Sequence, residues 1–277
     1  MGHGGNPQAT TMAKNPDFLY HYTTAKGWIG IVQHREIWAT DIFYMNDQSE
    51  FRRGLHLASK CLRSKVAKEN HGDEARRIAE ALETLGPGAI GFKLFVCCFS
   101  EDQDCLDQWR AYCPRGGYAI GFPFDRLNVC ASDQNMWLRR CIYREDEERA
   151  IMKRHVNKAG STSNDLITGL VNESMRYKHA AFEHENEWRL VHWTADVSDN
   201  GTLFTKYCFR SHEGRVIPCA KVRLTDGALW REVKVVVGPR PREEMAESMA
   251  AVKGLLDYVG SNDQSKVVAS TMPYRHW

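Results

Sequence analysis

The sequence predicts an α+β fold, in which short strands form a mixed or antiparallel sheet and pairs of helices are inserted between them. Short apolar runs with the length and composition of strands recur along the chain, and longer segments between them carry apolar residues at helical spacing. We expect a single α+β domain over residues 17–277, with helical insertions near residues 48–85 and 146–179. Residues 1–16 are expected to form a disordered leader, because the start of the chain is rich in glycine, asparagine and threonine.

The first strand is expected at residues 19–23, an aromatic run that favours extended structure, and a helix follows at once. Asp47 and Glu50 have the spacing of a capping box and should open the helix of the first insertion. Further strands are predicted at residues 37–40, 93–99, 118–122, 138–143, 188–193, 204–209, 216–218, 233–237 and 266–269. Further helices are predicted at residues 48–85, with a break near 71–73, and at 106–112, 146–158, 164–179 and 242–258.

The bulk composition excludes several classes of function. The formal net charge of +2 over 277 residues gives no broad electrostatic footprint for nucleic acid or membranes. Nine cysteines without a Cys-x-x-Cys pair, and no visible signal peptide or long apolar span, favour a reducing cytoplasm. The eleven histidines include no His-Glu-x-x-His motif, so no metal is expected. A Cys-His nucleophile is possible, but no local signature selects one.

The most unusual stretch of the chain is the acidic run at residues 182–191. It carries Glu183, Glu185 and Glu187 at alternate positions, which share one face in an extended chain. Three like charges on one face lower the stability of the fold unless nearby cations form ion pairs with them or one carboxyl stays protonated. The run therefore indicates a functional site. The alternative is a solvated acidic loop that leads into a buried strand.

Glycosyl transfer is a chemistry that these residues can support. Cleavage of an N-glycosidic bond passes through an oxocarbenium-like transition state, which Glu187 would stabilise while Glu185 orients or deprotonates the acceptor. His21, expected beside a helix N-terminus, would hold sugar hydroxyls or an amide, and Ser100 would add a hydrogen bond. Arg110 would pair with a phosphate. The alternative for His21 is a side chain bonded to backbone in a strand-to-helix turn.

Several motifs in order resemble the bacterial domain of unknown function 2971. The resemblance covers roughly residues 18–275. Its motifs are Leu-Tyr-His-Tyr-Thr, Trp-Ala-Thr-Asp, Met-Asn-Asp-Gln-Ser-Glu, Cys-Phe-Ser-Glu, Gln-Trp-Arg-Ala-Tyr, Glu-Asn-Glu-Trp-Arg-Leu-Val, Val-Val-Val-Gly-Pro and Ser-Thr-Met-Pro-Tyr-Arg. The opening and the acidic motif also resemble, more distantly, the ADP-ribosyltransferase superfamily. That resemblance implies an ADP-ribosyltransferase-like mixed or antiparallel β core with inserted helical pairs.

The distant resemblance also implies roles for individual residues. In this resemblance His21 takes the NAD-binding position on the first core strand. Ser100 takes the position on a later strand, and Tyr44 is the alternative for that position. Glu187 takes the catalytic position, and Glu185 is the first acid of a Glu-x-Glu pair. The catalytic residues expected on this basis are Glu187, Glu185 and His21. The expected NAD-binding residues are His21, Tyr22, Thr23, Tyr44, Ser100, Trp109 and Arg110.

The implied function is an NAD-dependent ADP-ribosyltransferase, with NAD as substrate, no metal, and a protein or nucleic acid as acceptor. NAD hydrolysis and a role in bacterial antiviral defence or as a toxin belong to the same expectation. The chain departs from the superfamily pattern, because Glu-x-Glu usually accompanies Arg in place of His21 and the helical stretch before Ser100 is long. A non-catalytic nucleotide- or partner-binding sensor is therefore the main alternative. A third candidate is a phosphodiester- or glycoside-cleaving enzyme that uses Glu185 and Glu187.

Overall fold

A computed structural model describes residues 14–45, 48–66, 73–86, 92–158, 162–195, 207–212, 214–258, 260 and 266–273. Four expectations lie partly or wholly outside these residues. They are most of the leader predicted over residues 1–16, the cap at Asp47, the helix break near residues 71–73, and the start of the strand predicted at 204–209.

The described residues form strands and helices that are interleaved along the chain. The strands are β1 (Phe18–Thr23), β2 (Glu36–Asp41), β3 (Phe92–Ser100), β4 (Tyr118–Pro123), β5 (Trp137–Arg140), β6 (Glu187–Ala195), β7 (Cys208–His212), β8 (Arg215–Arg223), β9 (Lys234–Val237) and β10 (Val267–Ala269). The helices are α1 (Ala25–His34), α2 (Gln48–Val66), α3 (Asp73–Thr84), α4 (Leu106–Tyr112), α5 (Phe124–Ser132), α6 (Glu145–Val156), α7 (Ser163–Ser174), α8 (Gly227–Glu232) and α9 (Arg242–Tyr258).

One open sheet contains all of these strands, and its pairing is antiparallel except between β9 and β10. The order is β10-β9-β4-β1-β3-β2-β8-β7, with β6 also paired to β3 and β5 to β6. The predicted α+β class with a mixed, mostly antiparallel sheet is confirmed.

Strand β3 is the branch point of the sheet. It pairs along its whole length with β6, from Phe92 opposite Ala195 to Ser100 opposite Glu187. Because β6 occupies one edge of β3, strands β1 and β2 share the other. Tyr20 of β1 pairs with Ser100, whereas β2 pairs near the middle of β3. The sheet therefore splits between β1 and β2.

Helices cover both faces of the sheet, because alternate residues of each strand point to opposite sides. One face carries a core that includes Phe95, Phe99 and Leu190 and packs against α1, α5, α8 and α9. On the other face, a second core that includes Val96 and Val191 packs against α2, α3, α6 and α7. A smaller core around α4 lies over β1, β4 and β9. The two predicted helical insertions correspond to the pairs α2–α3 and α6–α7.

Several boundaries differ from the prediction; strand β8, for example, spans Arg215–Arg223, whereas the predicted strand covered only residues 216–218. The helix predicted at residues 164–179 ends at Ser174, and the strand predicted at 138–143 spans Trp137–Arg140. Helices α5 and α8 were not predicted. The signal for α5 was present, because its buried residues Phe124, Leu127 and Ala131 recur at helical spacing. It starts directly after β4, so the two patterns merge into one apolar stretch in the sequence.

Candidate functional site

The candidate site is built where β3 ends and β6 begins. Ser100, the last residue of β3, is paired with Glu187, the first residue of β6, and Tyr20 of β1 pairs with Ser100 from the other side. The backbone N–H of Glu187 donates a hydrogen bond to the hydroxyl of Tyr143, 2.7 Å away. The start of β6 is thus fixed from two directions.

The acidic run before β6 is not an extended strand. Ala180–Glu185 forms a 3-10 helix, which His179 caps by accepting a hydrogen bond from the Ala181 N–H at 3.2 Å. Asn186 follows with φ of 43°, in the left-handed region. The prediction that Glu183, Glu185 and Glu187 share one extended face is therefore wrong, because the helical turn rotates the first two away from strand geometry. Glu183 is exposed.

A lysine nevertheless brings the last two acids together. The Lys178 ammonium contacts Glu185 Oε2 at 2.7 Å and also forms an ion pair with Glu187 Oε2. Lys178 lies just after α7 and is held there by a hydrogen bond from its N–H to the carbonyl of Ile142, at 3.0 Å. One cation therefore bridges the Glu-x-Glu pair.

A second cation binds the same glutamate from within the strand. Arg189 Nε donates to Glu187 Oε1 at 2.7 Å, and its Nη1 donates to the carbonyl of Met175 at 2.9 Å. Its Nη2 lies 3.5 Å from Glu50 Oε2, and Glu50 Oε1 accepts from the N–H of His179 at 2.9 Å. We call the five side chains of Glu50, Lys178, Glu185, Glu187 and Arg189 the charged cluster.

The charged cluster is almost entirely removed from solvent. The side chains of Arg189, Glu187 and Lys178 are 1%, 4% and 5% exposed, whereas Glu185 at the rim is 12% exposed. Burial opposes ionisation of Glu187, but the Arg189 guanidinium and the Lys178 ammonium outweigh it and lower its pKa to about 2. Glu187 is therefore a carboxylate at neutral pH.

Polar side chains from two other elements hold the rim of the cluster. The hydroxyl of Ser100 donates to the carbonyl of Glu185 at 2.7 Å and accepts from the N–H of Asp102 at 3.0 Å. Gln108, buried on α4, donates to Glu185 Oε2 at 2.7 Å. Ser100 thus fixes the backbone of Glu185, and Gln108 fixes its carboxylate together with Lys178.

His21 does not join Glu187. Its Nδ1 donates to the carbonyl of Cys98 at 3.0 Å and lies 3.8 Å from the sulfur of Cys97, and its ring packs against Phe99. Cys97 and Phe99 belong to the core on the face of β3 opposite Ser100. His21 and Glu187 therefore lie on opposite faces of the sheet. Burial lowers the pKa of His21, so its imidazole is neutral at pH 7.

Two of the other predicted NAD contacts, Tyr22 on β1 and Trp109 on α4, pack against each other. The hydroxyl of Tyr22 donates to the carbonyl of Asp102 at 2.7 Å and accepts from the N–H of Cys105 at 2.9 Å. Its ring stands edge-on to Trp109, with 4.6 Å between centroids, and the Trp109 indole donates to Asp104 at 2.7 Å. These bonds order the loop between β3 and α4.

The remaining predicted contacts are spread over separate elements. Thr23 ends β1, and its carbonyl accepts a hydrogen bond from the Cys113 thiol at 3.3 Å. Tyr44 ends a 3-10 helix at Ile42–Tyr44, and Arg110 is exposed on α4. The structure thus brings Ser100, Glu185 and Glu187 together.

Sequence reasoning missed both cations of the cluster. Arg189 had a usable signal, because it stands two residues after Glu187 and shares its face of a strand. Lys178 and Glu50 had none, since they reach the site from the turn after α7 and from α2. Their proximity depends on how those helices pack.

Metal binding and membrane insertion find no support in the described part of the chain. Within it, no group of three or more histidine, cysteine, aspartate or glutamate side chains is placed to hold a metal ion. None of its helices is both long enough and apolar enough to span a membrane.

The fold and the site define an α+β protein whose mostly antiparallel sheet carries a buried charged cluster where two strands meet. Residues 108–190 match a family described as Protein of unknown function (DUF2971), which supports the resemblance drawn from the motifs. The matched segment includes Lys178, Glu185, Glu187 and Arg189. Comparisons with curated proteins and with solved structures gave no match. The family match names no function, so function is inferred from the site.

Proposed function

We propose that the protein is an ADP-ribosyltransferase-type enzyme with an ADP-ribosyltransferase-like core, which transfers ADP-ribose from NAD to a macromolecular acceptor or hydrolyses NAD. One observation carries the proposal: Lys178 bridges Glu185 and Glu187 at the end of β3, where Ser100 is also held. Perturbed ionisable groups that are buried together are more frequent at functional sites than elsewhere. A role in bacterial defence or as a toxin rests on the resemblance alone.

The ionisation of Glu187 suits this chemistry. When the bond between the ribose and nicotinamide breaks, positive charge develops on the sugar, and a nearby carboxylate stabilises it. A pKa of about 2 keeps Glu187 negative at every physiological pH. Because both of its oxygens are engaged by cations, the reaction requires Lys178 to turn from Glu187 towards Glu185 when the substrate enters.

Glu185 is the better placed of the two acids to meet an acceptor. It lies at the rim, and its carboxylate is oriented by Lys178 and Gln108. In this proposal His21 does not touch the reacting sugar; it fixes β1 to β3 through the carbonyl of Cys98. Arg110, exposed on the same helix as Gln108, is the candidate partner for the pyrophosphate of NAD.

The test is release of nicotinamide from NAD by the purified protein, with and without cell extract as a source of acceptors. Glu187→Gln should lower the rate by about 100-fold or more, since charge is lost at nearly constant shape. Glu185→Gln should reduce transfer to the acceptor more than hydrolysis. The matched control is Glu183→Gln, because Glu183 is exposed and outside the charged cluster.

Absence of both nicotinamide release and thermal stabilisation at millimolar NAD would contradict the proposal. Equal activity of Glu187→Gln and wild type would contradict the assigned role of Glu187. Circular dichroism of each variant separates loss of activity from loss of fold.

A second candidate is a non-catalytic nucleotide- or partner-binding module. It is favoured by the engagement of both Glu187 oxygens, one by Lys178 and one by Arg189, in a side chain that is almost fully buried. This candidate predicts that a nucleotide raises the melting temperature in a concentration-dependent way without turnover. It also predicts that Glu187→Gln lowers stability while the ligand-induced shift is retained.

A further inference from the structure

Two cysteines face each other across the strand pair at one edge of the sheet. Cys208 of β7 and Cys219 of β8 are directly opposed in the antiparallel register. Their sulfur atoms are 3.0 Å apart, and each thiol lies within 3.4 Å of the carbonyl oxygen of the other residue. The two sulfurs are therefore in direct contact.

This geometry suits a disulfide. Opposed residues of an antiparallel pair have Cα atoms about 4.5–5.5 Å apart, which lies in the range that disulfides span. To form the bond, the sulfurs must approach each other by about 1 Å, to roughly 2.0 Å. Rotation of the two side chains supplies such a movement, so no strand has to shift.

The two thiols differ in their access to solvent. Cys219 is fully buried, and burial together with the neighbouring Cys208 thiol raises the pKa of Cys219 to about 12. Cys208 is half-buried. It lies on β7, which ends the strand order of the sheet and pairs with β8. An external reagent therefore reaches Cys208 first.

We propose that Cys208 and Cys219 form a reversible thiol-oxidation site that reacts with low-molecular-weight disulfides such as oxidised glutathione. The Cys208 thiolate attacks one sulfur of the reagent, which forms a mixed disulfide and releases one thiol. Cys219 then loses its proton and attacks the Cys208 sulfur, which releases the second thiol. Two electrons pass from the protein thiols to the reagent, and the products are one protein disulfide and two small thiols.

The bond would tie the edge strand β7 to β8. Arg210, two residues after Cys208, donates to the hydroxyl of Thr40 on β2 at 3.0 Å. Oxidation thus holds β7 at the position from which Arg210 reaches the adjoining strands. This inference does not depend on the proposed transferase function.

The experiment equilibrates the reduced full-length protein in glutathione buffers from fully reduced to fully oxidised. The protein is then unfolded in denaturant, its free thiols are alkylated, and it is digested with trypsin. Cleavage after lysine and arginine separates residues 207–210 from 216–221, so each peptide carries one of the two cysteines. In oxidising buffer the two peptides are expected as one disulfide-linked species, whose mass is the sum of the two reduced peptides minus two hydrogens. Dithiothreitol should separate them.

Single variants test the order of the steps. Cys219→Ala should leave Cys208 as a stable mixed disulfide with glutathione, because the resolving thiol is missing. Cys208→Ala should leave Cys219 unmodified, because it is buried. Cys130, a buried cysteine on α5, is the internal control and should be recovered as a free, alkylated thiol without bound glutathione in every buffer.

Three results would overturn the proposal. The first is separate alkylation of both peptides in fully oxidised glutathione. The second is a mixed disulfide that persists on wild-type Cys208. The third is a disulfide between two protein molecules, and not within one chain, which a non-reducing gel detects. Because the wild-type protein answers the main question, a variant that fails to fold does not affect the outcome.

Discussion

Replacing Arg189 with methionine would remove a buried guanidinium at similar volume. The guanidinium is 1% exposed, bonds Glu187 and the Met175 carbonyl, and lies 3.5 Å from Glu50. Without it, Glu187 keeps Lys178 as the remaining cation of the charged cluster. The carboxylates then stay buried with too little positive charge beside them.

The expected cost is about 3–5 kcal/mol, the usual loss when one partner of a buried ion pair is removed. This is a large part of a typical folding free energy of about 5–15 kcal/mol. The double variant Arg189→Met with Glu187→Gln should lose less than the sum of the single losses, by roughly 1–3 kcal/mol, because the unpaired charge is removed as well.

Urea unfolding followed by tryptophan fluorescence measures these values for the wild type, both single variants and the double variant. The matched control is Arg149→Met, which breaks an ion pair with Glu145 at 2.7 Å whose side chains are 41% and 67% exposed. That variant should lose at most about 1 kcal/mol. Two results would refute the view that Glu187 depends on Arg189. One is a loss of unfolding free energy below about 1 kcal/mol for Arg189→Met. The other is a loss in the double variant that equals the sum of the two single losses.

Stability should fall in acid because the pKa of Glu187 is lowered from 4.5 to about 2 on folding. Its contribution, about 3 kcal/mol, is complete above pH 4.5 and is lost as the pH falls towards 2; acid titration of Glu187→Gln should lack this component. A Cβ on Gly54 of α2 would lie 2.8 Å from the Ser174 Cα, so Gly54→Ala should lose about 1–3 kcal/mol in thermal unfolding. A Cβ on Gly30 of α1 meets nothing within 4 Å, so Gly30→Ala should be neutral or stabilising by up to about 1 kcal/mol, and equal losses would contradict the packing of α2 on α7.

Local patterns were sufficient for most of the secondary structure. Strand β6 was predicted at residues 188–193, and the pair α6–α7 was predicted as two helices at residues 146–158 and 164–179. These features are local, since side-chain alternation and helical spacing act over a few residues. The 3-10 helix at Ala180–Glu185 escaped prediction because alternating acids are also compatible with an extended chain.

The sequence by itself determined the α+β class and the positions of the two helical pairs, and it singled out the acidic run as a candidate site. It also placed Glu187 at the entrance of a buried strand. Only the tertiary structure decided which charged groups surround that carboxylate. Lys178 pairs with Glu187 and Glu50 lies beside Arg189, and both come from elements that are distant from β6 along the chain. It also decided the orientation of His21. Alternation along β1 sets His21 opposite to Tyr20. The registers of β1 and β6 against β3 determine which of these two side chains lies on the face that carries Glu187.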